Sequence, residues 1–169
     1  MKNIFLFVIP VIVLILSCQP VEDKVFTDEE AKVFLSRFME TVMNRDTTLA
    51  AELLHPDCEL RYPILPEPIK GIDAYKDFIK TVPKTFSSFT ATIEEVNVKG
   101  DKIWCRYTMK GVNTGPLGKI PATNKEFQVT GMAITRIQDG KIIEDETYWN
   151  VLGFYQQLGF KLTPPNTEI

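Results

Sequence analysis

Residues 144 to 150 place two carboxylates and an amide at even-numbered positions: Glu144, Glu146 and Asn150. On a regular strand these three share one face. The Asn150 amide can donate and accept hydrogen bonds but does not titrate near neutral pH, so it can fix a ligand atom and cannot act as a general base. Glu146 is the candidate for proton transfer. It lies four residues before Asn150, about 13 Å along a strand at roughly 3.3 Å per residue, and would serve a different reacting atom. A solvated strand charge is the ordinary alternative for it. Trp104, Tyr107, Met109, Met132, Tyr148 and Trp149 alternate along strand-like runs, so some face the helices and some face a cavity, and as a set they imply an apolar pocket. His55 is the only histidine and stands before Pro56, where a capping or surface role fits better than a Ser-His-Asp triad. The spacing of Cys58 and Cys105 suggests no metal site.

These side chains need a scaffold. Thr27 and Glu30 form a capping-box signature, and Ala31, Phe34, Leu35, Phe38 and Val42 follow at helical spacing. Asp46 can cap a second, shorter helix reaching Leu53-Leu54, broken by His55-Pro56. A strand over 58–62, a rigid "PILPEP" loop and a third helix over 71–82, stopped by Pro83, come next. The period then becomes alternating: 89–98 and 102–112 flank a "KGD" turn, and 127–137 and 141–150 flank Asp139-Gly140, a dipeptide suited to hairpins. A short helix over 151–158 ends at Gly159. Helices first and an antiparallel meander second indicate a single α+β domain, with a cavity between a curved sheet and three helices.

The first residues stand apart from this domain. A basic start, an apolar run from Ile4 to Leu16 and Ser17-Cys18 have the plan of an export signal, and the run is short of the ~20 residues that span a bilayer. "ILSC" (15–18) resembles the lipobox of bacterial lipoproteins, which implies cleavage after residue 17 and acylation of Cys18. Two or three acyl chains anchor stably where one does not. The implied organisation is a signal over 1–17, a tether over 18–26, a domain over 27–160 and a tail over 161–169, lipid-anchored on the periplasmic or surface face of the bacterial cell envelope. Without the signal, 18 basic side chains face 22 acidic ones. No basic stripe remains, which argues against nucleic acid as a partner. Export permits a disulfide between Cys58 and Cys105, and buried free thiols are the alternative.

The segments "GIDAYKDFI" (71–79), "VNVKGDKIWCRYTMKGVNTGPLGKIPAT" (96–123) and "GMAITRIQDGKIIEDETYWNVLGFYQQLG" (131–159) resemble the SnoaL-like polyketide cyclases, or ester cyclases, of the nuclear-transport-factor-two-like superfamily. The resemblance implies a cone-shaped barrel of curved antiparallel sheet wrapped around three N-terminal helices, an apolar pocket for a small hydrophobic molecule, and a homodimer. For the cyclases it implies a cofactor-free aldol closure in which an aspartate moves the proton. Asn150 stands where that aspartate would be, Asn113 stands where a histidine often is, and Arg106 matches an arginine of the second long strand. The expected ligand set is therefore Asn150, Asn113, Tyr148, Arg106, Tyr107 and Met132. The expected function is binding without the usual acid/base. The alternative is a cofactor-independent cyclase, isomerase or lyase for a polyketide-like or other carbonyl compound, using Glu146 or another pocket acid.

Overall fold

The computed structural model describes residues 26–163. The expected export signal, Cys18, most of the expected tether and the last six residues lie outside that range.

Helix α1, Asp28–Asn44, starts at the expected capping box. The Thr27 hydroxyl accepts from the Glu30 amide at 3.2 Å, and the Glu30 carboxylate accepts from the Thr27 amide at 3.0 Å. Its inward stripe is Ala31, Leu35, Phe38 and Thr41. Asp46 caps α2, Thr47–Leu53, accepting from the amides of Thr48 and Leu49. Strand β1, Leu54–Arg61, follows without a linker and runs through Pro56, which the sheet tolerates because the pairing with its neighbour is irregular between Leu54 and Glu59. After the two-residue strand β2, Ile69–Lys70, comes α3, Ile72–Thr85. It continues past Pro83 to Thr85, because a proline in the last turn removes one helical hydrogen bond while its φ suits a helix.

The remaining strands are β3, Phe86–Lys99, β4, Lys102–Asn113, β5, Glu126–Gln138, and β6, Lys141–Trp149. Helix α4, Val151–Gln157, closes the domain. The sheet order is β2-β1-β6-β5-β4-β3. Both expected hairpins are present. The sheet is curved but open, ending at β2 and β3, so it is not a closed barrel. It is also mixed: β1 runs parallel to β6. These two strands are joined by a long excursion rather than a tight turn, so nothing forces them antiparallel. Cys58 and Cys105 are buried free thiols.

One irregularity decides which side chains face inward. Opposite Asp139-Gly140, Gln138 pairs with Lys141 and Ile137 with Ile142, but Arg136 pairs with Glu144. Ile143 is the extra residue of a β-bulge. Ile142 and Ile143 are therefore both buried, and from there the odd-numbered residues face the helices.

Candidate active site

Two hydrophobic clusters build the interior. The larger joins α1, α2 and α3 to the sheet, and the smaller gathers Phe127, Val129, Phe154 and Leu158. Between them is a cavity of about 110 Å³ whose wall includes Phe38 and Tyr75 from the first cluster and Phe127, Val129 and Phe154 from the second. Helix α4 stops its end through Phe154, whose ring meets Phe86, Phe127 and Trp149 edge-on. Tyr62 and Ile64, at the start of the "PILPEP" loop, complete another side. A space of this size among aromatic rings suits a small, flat, apolar molecule.

One carboxylate lines this cavity, and it is Asp145. It is 3% exposed. The Thr135 hydroxyl donates to Oδ1 at 2.7 Å from the facing position on β5, and the Thr147 hydroxyl donates to Oδ2 at 3.2 Å. The cavity wall carries no Lys, Arg or His. Burial therefore raises the Asp145 pKa to about 6, opposed in part by the two threonine hydroxyls and assisted weakly by the Glu146 charge. An acid tuned to this range can hold or release a proton near neutral pH.

Two tyrosines flank it differently. Tyr75 donates its hydroxyl to Thr41, whose own proton goes to the Phe38 carbonyl. Tyr107 is 1% exposed and its oxygen is the one buried side-chain N or O among the described residues without a hydrogen-bond partner. Burial and the Asp145 charge hold the Tyr107 phenol strongly protonated; the adjacent Thr147 hydroxyl opposes this in part, but its proton goes to Asp145 Oδ2, so by geometry the phenol oxygen is left unpaired. Burial also pushes the Cys105 thiol up to about 12, which leaves it inert as a nucleophile.

Residues 33–158 match the SnoaL-like polyketide cyclase family. The chain belongs to that family. It is 30% identical over 93 residues to the aklanonic acid methyl ester cyclase DnrD of Streptomyces peucetius, a match covering 54% of this chain and 63% of that cyclase, just under two thirds of its length. It is 25% identical over 137 residues to the uncharacterized protein YesE of Bacillus subtilis, covering 78% of this chain and 88% of that protein. Among solved structures, TsrD from Streptomyces laurentii superposes with a TM-score of 0.69 at 25% identity, over 79% of this chain and 98% of TsrD. An M.tuberculosis LEH-like epoxide hydrolase shares the fold at a TM-score of 0.61 and 15% identity, over 78% of this chain and 90% of that one.

Within this SnoaL-like frame, the residues singled out from sequence fall into three places. Tyr107 lines the cavity. Arg106, Met132 and Tyr148 meet on the opposite sheet face, around a shallow depression. There Arg106 pairs with Glu94 and with Glu95, 3.0 Å away in the second case. Glu146 is on that face too, accepting from the Tyr148 hydroxyl at 2.9 Å and 3.6 Å from Arg61. The asparagines serve the backbone. Asn150 is the N-cap of α4 and accepts from the Gly153 amide at 2.8 Å. Asn113 is fully buried, donating to the carbonyls of Thr85 and Gly115 and accepting from the amide and hydroxyl of Thr123, so it holds the loop between β4 and β5. Asp145 was not singled out. The signal that could have found it is Thr135, a buried polar residue in an otherwise apolar stripe of β5 that needs a partner across the hairpin.

Proposed function

We propose that this SnoaL-like domain binds a small hydrophobic carbonyl compound in the cavity behind β4, β5 and β6 and that Asp145 moves a proton on it. The single observation carrying this reading is a buried carboxylate, poised near pH 6, in the wall of an otherwise apolar cavity. A carboxylate with two hydroxyl donors and no cation is the arrangement a general base requires: ionised at neutral pH, weakly solvated and close to bound substrate. The chemistry within its reach is cofactor-independent enolisation, hence isomerisation or aldol cyclisation. Membership in a family of polyketide cyclases favours a polyketide-like substrate.

A second reading, binding without turnover, is favoured by Asn113 and Asn150, which occupy the positions where the resemblance implies a titrating histidine and aspartate and which instead hold backbone. Exchange of α-hydrogens for deuterium in 2-tetralone, a flat apolar ketone, separates the two. Under the proposal the wild type accelerates exchange, Asp145→Asn lowers the rate by about 10²-fold or more, and Glu146→Gln leaves it within a factor of two or so. A wild type no faster than Asp145→Asn leaves binding alone.

We also place the mature chain at the cell envelope, anchored through acylated Cys18, on the strength of the signal-like run before it. The exposed Met132 and Tyr148 side chains on the outer sheet face support a homodimer formed through that face.

A further inference from the structure

Tyr107 presents a feature that packing does not account for: a phenol oxygen removed from water and left without a hydrogen-bond partner, an arrangement that is costly unless something else meets it. The other deeply buried cavity tyrosine, Tyr75, has its partner in Thr41, so the lack is particular to Tyr107. The local backbone is arranged to admit this phenol. Tyr107 on β4 faces Gly131 on β5, and Gly131 faces Trp149 on β6. A Cβ at position 131 would lie 2.5 Å from the Tyr107 oxygen and 2.6 Å from the Tyr148 carbonyl. Only glycine lets the ring lie across β5, which brings the phenol beside Thr147 and under the influence of the Asp145 charge, two residues of β6 that line the same cavity.

From this geometry, and resting on the proton-transfer reading of Asp145, we infer that the Tyr107 hydroxyl is the hydrogen-bond donor that receives the substrate's carbonyl oxygen and stabilises it as the enolate forms. The Asp145 carboxylate takes a proton from the carbon beside the carbonyl. The C–H electron pair becomes the new C=C bond, the carbonyl π pair moves onto oxygen, and Tyr107 O–H donates to that oxygen. No oxidant or co-reactant is consumed. The proton returns from Asp145 to carbon in an isomerisation, or to the alkoxide formed when the enolate carbon attacks a second carbonyl. A donor fixed in a dry site where charge develops is among the larger contributions a protein makes to such a reaction. The substrate class narrows accordingly. It is an uncharged, planar ketone with an acidic neighbouring C–H, because the cavity wall offers no basic side chain to a second anion beside Asp145.

Phenols imitate enolates in shape and in the position of their oxygen, so 2-naphthol and naphthalene form the test pair. Asp145→Asn provides the background, since its neutral side chain stands for the carboxylic acid present after proton abstraction. In that protein 2-naphthol should bind at least tenfold more tightly than naphthalene. Adding Tyr107→Phe should remove about tenfold of that preference, one ordinary hydrogen bond, while naphthalene affinity stays unchanged. Tyr107→Phe alone should fold at least as stably as wild type, since it deletes an unpaired buried hydroxyl; circular dichroism checks this. Overturning results are the absence of a naphthol preference in Asp145→Asn, or a preference that Tyr107→Phe leaves intact. The comparison needs no turnover, so it fails or succeeds separately from the deuterium-exchange test of Asp145.

Discussion

At the scale of residues, Asp145 is a liability to the fold as much as an asset to chemistry. Its folded pKa, about 6, lies above its ordinary value of 3.8. As pH rises from about 4 to about 6, the native state keeps a proton that the unfolded state releases, so this group's contribution makes stability fall across that window and stay low above it. At about 1.4 kcal/mol per pKa unit, the full effect is roughly 3 kcal/mol. Asp145→Asn keeps an acceptor for Thr135 and removes the charge. It should therefore raise the midpoint of thermal unfolding at pH 8, with the gain shrinking towards pH 4. A variant destabilised equally at both pH values would show that the carboxylate is held for structure alone. The buried phenols and thiol around it (Tyr62, Tyr75, Tyr107 and Cys105) stay protonated through this range, because burial pushes each of them up.

At the scale of elements, the hairpin β5–β6 explains both what could be read from the sequence and what could not. The strands, the Asp139-Gly140 turn, the capping box of α1 and the helix after Asn150 carry local signals and were legible. The face of β6 was not. With the same two-residue turn and an unbroken ladder, Thr135 would oppose Glu144, and Glu144, Glu146 and Asn150 would point at the helices, as the alternation of the sequence suggests. The bulge at Ile143 shifts the register by one and exchanges the faces, bringing Asp145 inward and sending Glu144 and Glu146 out. A bulge has no strong sequence mark; its trace here is the pair Ile142-Ile143, both wanting burial. The same end of the strand misleads at Asn150, which has left the ladder and turned into the cap of α4. Asn150→Ala should accordingly cost about 1 kcal/mol of stability, the usual loss of an N-cap, and loosen the end of the cavity that Phe154 closes. Asn150→Asp should cap as well as the wild type and should leave 2-tetralone exchange unchanged. A large gain in exchange on that substitution would return the chemistry to position 150.

At the scale of the whole molecule, the domain is a curved sheet with helices on one face, and the cavity is the gap where its two cores fail to merge. No helix among the described residues is long and apolar enough to cross a membrane. The proposed attachment rests on the signal-like run before Cys18. Intact mass of protein extracted from membranes should show loss of residues 1–17 and an acyl addition on Cys18, and Cys18→Ser should leave the chain unprocessed or released. A mature protein beginning elsewhere without lipid would remove the anchor. The central claim is tested most directly by the pH dependence of deuterium exchange into 2-tetralone between pH 4 and 8. A base must be ionised to act, so the rate should climb with pH through a single inflection near 6 and level off above it, following the Asp145 carboxyl. The inflection should vanish in Asp145→Asn and persist in Glu146→Gln. A wild-type profile that is flat, or whose inflection survives Asp145→Asn, would contradict the assignment of the proton to Asp145.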